Sequence, residues 1–283
     1  MRVLAMLDGT LADPDQPWIR VDDLGLMRGD GIFETVLVVD GRPREIQPHL
    51  DRLARSAAML DLPLPDQDAW RRGARAVLDN WTGEPEMVLK MICTRGIEGG
   101  DGTPTAFVLG LSIAPAVLHK RAVGVAAVLL DRGYDTGLAE RAPWLLLGAK
   151  TLSYAVNMAV EREAVRRGAD EVIFVSTDGY VLEGPTSSVV TVHGRTLRTP
   201  PPQIGILRGT TQGALFRAAE GTDWSTKVEP LRVDDLWSAD AVLLASSVRK
   251  ITRVHTLDGK ALPDSTERHR ELSALYESQY RAQ

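Results

Sequence analysis

The sequence has 283 residues, of which 44% are hydrophobic and 25% are charged, and its formal net charge is −5 at pH 7. These values are typical of a globular protein with enough apolar material for one large domain or two modest ones. The charge is mildly negative and no block of basic residues occurs, so we expect a protein that binds neither nucleic acid nor a membrane surface.

The cysteine count and the N-terminus bear on location. The single cysteine, Cys93, excludes an internal disulfide and fits a reducing compartment. The apolar run at residues 1–7 is too short for the core of a signal peptide, and no later run is long enough to span a bilayer. We therefore expect a cytoplasmic protein.

The first part of the chain is predicted to mix short strands with two helices. Asp40-Gly41 is a hairpin signal, Pro48 is expected to open one helix, and Asp66 is expected to cap the next. Ala114-Pro115-Ala116 is interpreted as a linker. The strand-like runs of this part are residues 36–39, 45–46, 87–94 and 106–113.

The second part is predicted to combine strands, hairpins and helices. Asp178-Gly179 and His193-Gly194 are hairpin signals. Helices are predicted after Lys150, from Gly209 to Glu220, and near the C-terminus around Leu272. The strand-like runs are residues 123–130, 171–175, 189–192 and 241–245. The whole pattern predicts an α+β protein of two domains.

Several familiar site motifs do not occur in the sequence. It contains no GxxxxGK[ST] phosphate loop, no GxGxxG after a strand, no HExxH and no GxSxG. The five histidines are scattered without metal-ligand spacing, so no metal site is predicted.

Seven short segments carry the remaining chemistry. They are RGDGIFET (28–35), HLDRL (49–53), TRG (94–96), LGAKTLSYAVNMAVEREA (147–164), GYVLEGPTSSVV (179–190), GILRGTTQ (205–212) and ASSVRKITRV (245–254). Taken singly, Lys150 is an ordinary lysine at the edge of a core, Glu183 a loop carboxylate and Arg52 a solvated helix residue. Together and in this order, the segments resemble the fold-type IV, or class IV aminotransferase, family of pyridoxal-phosphate (PLP) enzymes.

The resemblance implies a role for each matching residue. Lys150 matches the lysine that holds the cofactor as a Schiff base, and Glu183 matches the carboxylate that pairs with the pyridine nitrogen. Arg52 matches the arginine that binds the cofactor phosphate. The other matches to cofactor-binding residues are Thr186, Ser187, Leu207, Gly209, Thr210, Thr211, Ser246 and Ser247.

The resemblance also implies a fold and an assembly. It implies a small N-terminal α/β domain, residues 1–116, and a larger, PLP-binding pseudo-barrel domain, residues 117–283. It further implies a homodimer that acts on a small-molecule substrate, with its active sites at the domain interface.

Thr35 is the most useful residue for choosing among family members. It lies two residues after Phe33, so strand alternation predicts both side chains on one face. The lyases of the family carry this Phe-x-Thr pattern, whereas D-amino-acid aminotransferases tend to show tyrosine and valine, and branched-chain enzymes a glycine. The resemblance therefore favours 4-amino-4-deoxychorismate lyase, which makes 4-aminobenzoate and pyruvate for folate synthesis, with Lys150 and Thr35 as catalytic residues. The alternative for Thr35 is a β-branched residue selected for strand packing.

Substrate recognition leaves two alternatives open. Phe33 and Arg95 are predicted to face the substrate, with Arg95 binding its carboxylate. The loop 97–102 lacks the second basic residue that relatives often carry, which leaves room for a D-amino-acid or branched-chain aminotransferase, or for dual activity. An inert PLP-binding or interaction protein is the non-enzyme alternative, and the joint presence of Lys150, Glu183 and Arg52 disfavours it.

Overall fold

The computed structural model describes residues 1–280, which form two compact units, each with its own sheet. The first unit comprises Met1–Ala114 and Ala149–Tyr154, and the second comprises Pro115–Gly148 and the described residues from Ala155 onward. Both units combine helices with a sheet, which confirms the predicted α+β class.

The first unit has an antiparallel six-stranded sheet in the order β2-β1-β6-β5-β3-β4. Its strands are β1 Arg2–Met6, β2 Leu11–Ala12, β3 Gly31–Val39, β4 Arg42–Pro43, β5 Glu86–Thr94 and β6 Thr105–Ser112. Its helices are α1 Leu24–Arg28, α2 Ile46–Met59 and α3 Gln67–Asp79. The helices α2 and α3 share a core with β1, β3, β5 and β6, and Trp70 is fully buried in this core.

Local signals account for most of these elements. Asp66 caps α3 as predicted, because its carboxylate accepts the Ala69 N–H at 2.7 Å. Asp40 and Gly41 adopt φ values of 50° and 73°, which suit a tight hairpin turn. The predicted return strand at residues 45–46 was wrong: Arg42–Pro43 pairs with β3, and α2 begins at Ile46, where the isoleucine packs on the core.

The segment Ala149–Tyr154 joins the first unit by pairing with the start of β3. Phe33 N–H donates to the Lys150 carbonyl at 3.1 Å, and Leu152 N–H donates to the Gly31 carbonyl at 2.8 Å. A Cβ atom at Gly31 would lie 2.6 Å from the Cys93 carbonyl oxygen on β5, so the close approach of the two strands at this point needs glycine. The predicted domain boundary at residue 117 assigns Lys150 to the second domain. In the structure, these long-range backbone hydrogen bonds hold Lys150 in the first unit.

The second unit has an eight-stranded mixed sheet in the order β11-β10-β9-β12-β13-β7-β8, with β14 beside β13. Its strands are β7 Val125–Asp131, β8 Glu171–Val175, β9 Ser188–His193, β10 Thr196–Thr199, β11 Ser225–Val228, β12 Ala241–Ser246, β13 Lys250–Leu257 and β14 Lys260–Ala261. Its helices are α4 Pro115–Val123, α5 Leu138–Arg141, α6 Ala155–Arg166, α7 Thr210–Ala219, α8 Val233–Trp237 and α9 Thr266–Ser278.

The predicted strands of the second unit are confirmed to within two residues, and so is the predicted helix α7. The predicted linker at residues 114–116 contains the division between the two units, which falls between Ala114 and Pro115. Pro115 also begins α4, because a proline is compatible with the first helical position. Within residues 1–280, none of the helices combines the length and apolar character needed to cross a membrane.

Candidate active site

The Lys150 amine lies beside two aromatic rings of the first unit. Its Nζ is 4.4 Å from the centroid of the Phe33 ring and 3.5 Å from the Tyr154 hydroxyl. The two rings meet edge to face with centroids 5.2 Å apart. The Lys150 backbone N–H donates to Ser56 Oγ at 3.0 Å, so both the backbone and the side chain of the lysine are held.

Tyr154 was not identified from the sequence. A spacing of four residues predicts side-chain contact only within a helix, and α6 begins after Tyr154, at Ala155. A local turn, in which the Tyr154 N–H donates to the Leu152 carbonyl at 2.7 Å, returns the tyrosine towards Lys150.

The strand β3 presents Phe33 and Thr35 on one face, as predicted. Both side chains are half-buried, whereas the alternate residues Ile32 and Glu34 are fully buried on the other face. On the neighbouring strand β5, Lys90 lies directly opposite Thr35. Side chains that are opposite in an antiparallel pair project from the same face. Lys90 therefore supplies a basic residue beside Thr35, which sequence analysis missed because it depends on strand pairing.

Arg52 belongs to a buried ion cluster of the first unit. Its Nε donates to Glu34 Oε1 at 2.6 Å, and its second terminal nitrogen donates to Glu34 Oε2 at 2.8 Å. His49 Nδ1–H also donates to Glu34 Oε2, at 2.6 Å. Burial alone would raise the pKa of Glu34, but the charge of Arg52 and then His49 hold it far below its ordinary range. Burial lowers the pKa of His49 in turn.

The two-point contact with Glu34 fixes the plane of the Arg52 guanidinium before any ligand binds. Its role in phosphate binding stays a prediction. Glu34 itself was not identified from the sequence, although one signal was present: a carboxylate on the core face of a strand, flanked by Ile32 and Val36, needs a buried partner.

Arg95 makes four hydrogen bonds within the first unit. Its Nε and one terminal nitrogen donate to the Asp30 carboxylate at 2.7 and 3.2 Å, and further donors reach the carbonyls of Leu60 and Asp61. These contacts tie the chain after β5 to the start of β3. They give no support to the predicted role of Arg95 in binding a substrate carboxylate, which stays a prediction.

Glu183 is held by two backbone contacts in the second unit. Its Oε2 accepts the Leu207 N–H at 3.1 Å, and its carbonyl accepts the Phe174 N–H at 2.9 Å. Burial and then the Glu183 charge raise the pKa of Tyr134 to about 12, so the phenol stays protonated; it donates to the Gly205 carbonyl at 3.3 Å. The structure thus brings together Glu183 and Leu207, two of the predicted cofactor residues, and adds Tyr134.

The N-terminus of α7 packs closely against β9. Gly209 precedes the helix, and a Cβ atom there would lie 2.2 Å from Ser188 Oγ, so a larger residue would require the Ser188 side chain to move. Thr210 and Thr211 are both buried. Next to Ser188, the Ser187 hydroxyl is buried and has no hydrogen-bond partner among the described residues.

Two of the remaining predicted hydroxyls, those of Thr186 and Ser246, meet at one arginine. Thr186 Oγ1 accepts a hydrogen bond from Arg249 at 3.0 Å, and Ser246 Oγ lies 3.5 Å from Arg249 Nε. Ser247 follows Ser246 in the loop between β12 and β13. The second unit therefore contains both hydroxyl-bearing turns that the sequence predicts.

These groups suit a cofactor with a protonated ring nitrogen and a phosphate. Glu183 offers an oriented carboxylate, and the ten-residue helix α7 offers backbone N–H groups at its N-terminus. The partnerless Ser187 hydroxyl is the kind of buried polar group that a bound ligand satisfies. Within residues 1–280, no group of three or more histidine, cysteine or acidic side chains is placed to hold a metal ion.

Comparisons with known proteins show the family of the chain. Residues 31–257 match the family model of amino-transferase class IV. The bifunctional aminodeoxychorismate lyase / D-amino acid transaminase of Mycobacterium tuberculosis is 47% identical over 270 residues, which are 92% of this chain and 93% of that protein.

Two solved structures extend the likeness to the fold. The PLP-bound form of a hypothetical aminotransferase from Mycobacterium tuberculosis has a TM-score of 0.94 at 46% identity, covering 99% of this chain and 100% of that one. The fold IV transaminase CpuTA1 from Curtobacterium pusillum has a TM-score of 0.92 at 43% identity, covering 98% and 99%. The chain therefore belongs to the class IV aminotransferases, the fold-type IV family of PLP-dependent enzymes.

Proposed function

We propose that the protein is a PLP-dependent 4-amino-4-deoxychorismate lyase that also transaminates D-amino acids. The observation that carries the lyase assignment is Thr35, which shares a strand face with Phe33, the residue whose ring contacts the Lys150 amine. The relative that is 47% identical over nearly its whole length is named for both activities. The product, 4-aminobenzoate, is a precursor in folate synthesis.

When PLP is bound, Lys150 would hold it covalently and Glu183 would pair with its ring nitrogen. Arg52 would bind its phosphate, and the N-terminus of α7 is also suited to a phosphate. When bound, PLP supplies an electron sink for the negative charge that develops beside the substrate amine. Thr186, Ser187, Ser246 and Ser247 would add hydroxyl contacts, and Leu207 would pack on the ring.

Lys150 is the general base of the reaction. It removes a proton from the carbon that carries the substrate amine, which requires its own amine to be neutral and correctly aimed. The Phe33 ring on one side and the Tyr154 hydroxyl at 3.5 Å restrict where the amine can point. Tyr154 therefore acts as a positioning residue for Lys150.

Thr35 supplies a proton to the enolpyruvyl group as it leaves. One strand repeat separates its side chain from that of Phe33, about 7 Å along β3. Lys90, directly opposite Thr35, places a positive charge beside it that suits a carboxylate of the doubly acidic substrate. Transamination of a D-amino acid needs Lys150 and Glu183 but expels no enolpyruvyl group, so it has no need of this hydroxyl.

Product analysis tests the assignment directly. The purified protein is supplied with PLP and one of three substrates: aminodeoxychorismate, D-alanine with 2-oxoglutarate, or L-leucine with 2-oxoglutarate. We expect 4-aminobenzoate and pyruvate in equal amounts from the first, a slower reaction with the second and none with the third. Robust transamination without pyruvate release from aminodeoxychorismate would contradict the lyase assignment, and no reaction with any substrate would favour the inert alternative.

We further propose a homodimer, because the second unit exposes several large apolar side chains. Trp144 is 73% exposed, and Val156 and Met158 on α6 are 49% and 46% exposed. Exposed side chains of this size and apolar character suit a surface that another chain covers. Light scattering should give the dimer mass, and Val156→Glu combined with Met158→Glu should give monomers. A monomeric wild type would contradict this proposal.

A cytoplasmic location is also proposed. Cys93 is a buried free thiol, and burial raises its pKa to about 12, so the residue is neither a thiolate nor part of a disulfide. Detection of the protein in a secreted fraction rather than with cytoplasmic markers would contradict this location.

A further inference from the structure

Arg249 lies in an unusual position for a charged residue in a hairpin. The strands β12 and β13 pair through Ser246 and Lys250, so Ser247, Val248 and Arg249 form the connecting loop. Hairpin loops are normally exposed, yet Arg249 is only 8% exposed. Burial lowers its pKa to about 10, which still leaves a full positive charge at neutral pH.

The Arg249 guanidinium joins three separate segments of the second unit. One terminal nitrogen pairs with Glu171 at the start of β8, and the other donates to Thr186 Oγ1 at 3.0 Å. Its Nε lies 3.5 Å from Ser246 Oγ at the end of β12. The planar guanidinium is rigid, so fixing it on Glu171 also fixes the distance between the two hydroxyls.

The surroundings hold both ends of this bridge. Arg121 on α4 donates from Nε to the Val248 carbonyl at 2.7 Å, which anchors the loop beside Arg249. Lys120 Nζ lies 3.4 Å from the same Glu171 oxygen that pairs with Arg249. On the other side, Gly184 N–H donates to the Ser187 carbonyl at 2.8 Å and closes a tight turn around Thr186. The arginine thus connects two turns that are each already constrained.

We infer that Arg249 is a positioning residue for the cofactor phosphate, which sets the spacing between the turn of Thr186 and Ser187 and the turn of Ser246 and Ser247. The inference rests on the proposed function, because the phosphate is that of PLP. Glu171 is the anchor of this arrangement. Arg249 is not assigned a direct contact with the ligand; it acts through Thr186 and Ser246.

The test compares two ligands that differ only in the phosphate. Dissociation constants of PLP and of pyridoxal are measured by absorbance on cofactor-free protein, for wild type, Arg249→Met and Glu171→Gln. We expect Arg249→Met to weaken PLP about tenfold to a hundredfold, while pyridoxal changes by less than about threefold. Glu171→Gln is the more conservative change, because it keeps the size of the side chain and removes only its charge. It should shift the ratio of the PLP and pyridoxal dissociation constants in the same direction as Arg249→Met, by a smaller factor.

Arg198→Met is the matched control. Arg198 on β10 is a half-buried arginine that, like Arg249, pairs with carboxylates, here Glu229 and Asp235, and neither of these partners is a proposed cofactor residue. Its loss should lower the melting temperature without altering the ratio of the two dissociation constants. A ratio that is unchanged in both Arg249→Met and Glu171→Gln, or equal weakening of the two ligands, would overturn the inference. A wild type that binds PLP no more tightly than pyridoxal would overturn the cofactor assignment itself, and this inference with it.

Discussion

The two units hold their chemical groups by different means. In the first unit, Lys150 lies on a segment that pairs with β3, and Thr35 lies on β3 itself. Arg52 is fixed by Glu34, a carboxylate on the buried face of β3. In the second unit, the groups lie on turns and at a helix start, and hydrogen bonds such as that from Leu207 N–H to Glu183 connect them. We infer that the first unit positions its reacting groups through the strand β3, whereas the second unit positions its cofactor-binding groups through loops.

Removing the base should have the largest effect. Lys150→Ala should abolish both lyase and transaminase activity, because the variant lacks the amine that is proposed to bind the cofactor and to act as the base. Borohydride treatment of the wild type should fix the cofactor to the peptide that contains Lys150. Lys227→Ala, an exposed lysine on β11, is the control and should keep full activity. A label on Lys90 instead would show that the base was misassigned.

Thr35→Val should separate the two activities. The change keeps the shape and the β-branched side chain that suit a strand, and removes only the hydroxyl. Pyruvate release should fall ~10²–10⁴-fold, the usual value of general acid assistance, while transamination of D-alanine should fall much less. Both rates are measured with cofactor occupancy checked by absorbance. Equal losses would indicate a packing defect, and no loss in either would make Thr35 structural.

Glu183→Gln tests the second unit in the same assay. The amide still offers an oxygen to the Leu207 N–H, but it no longer favours a protonated ring nitrogen. We expect both activities to fall about 10²–10³-fold, the typical cost of losing one electrostatic group, with the cofactor still bound. An unchanged kcat would remove Glu183 from the mechanism, whereas loss of cofactor would make its role one of binding.

Glu34→Gln should lower the free energy of unfolding of the first unit. It leaves the Arg52 cation buried without its carboxylate, a change that costs about 3–5 kcal/mol in the free energy of unfolding. Denaturant titration measures this loss. Asp79→Asn, which breaks an exposed ion pair with Arg75 on α3, is the control and should leave the midpoint unchanged.

The same cluster predicts the pH dependence of stability. The native pKa values of His49 and Glu34 both lie below their ordinary values of 6.5 and 4.5, so unfolding takes up protons as the pH falls. Their contribution should be complete above about pH 6.5 and should be lost on acidification, first through His49 and then through Glu34. In Glu34→Gln, stability should change less with pH below pH 4.5 than in the wild type. A profile identical to that of the wild type would contradict the role given to Glu34.

Tyr154→Phe should have the smallest effect. The ring keeps its edge-to-face contact with Phe33, and only the hydroxyl 3.5 Å from the Lys150 amine is lost. A single neutral hydrogen bond is worth about 0.5–1.5 kcal/mol, so both activities should fall less than about tenfold and by the same factor. A loss confined to one activity would show that Tyr154 contacts the substrate rather than positioning the lysine.

The sequence was informative wherever a local rule decides the outcome. Strand alternation placed Phe33 and Thr35 on one face, and the Asp66 cap marked the start of α3. The order of the family segments pointed to Lys150 and Glu183. Each of these predictions depends on neighbours within a few residues or on the order of segments in the sequence, so none requires knowledge of the fold.

Long-range pairing explains what the sequence left out. Lys90 depends on the register of β5 against β3, and Glu34 on a helix residue, Arg52, 18 positions away. Arg249 depends on contacts with Glu171 and Thr186, which are 78 and 63 positions away. No local periodicity encodes such contacts, because they arise only when distant segments pack together.

The pairing of Ala149–Tyr154 with β3 has a consequence for biosynthesis. A ribosome completes the other strands of the first unit before it reaches the residues that cover the start of β3. A nascent chain or fragment that ends at Ala114 would therefore present unpaired backbone groups at Gly31 and Phe33, an edge that is prone to aggregation. We expect such a fragment to need a chaperone, or a peptide spanning residues 149–154, to remain dispersed.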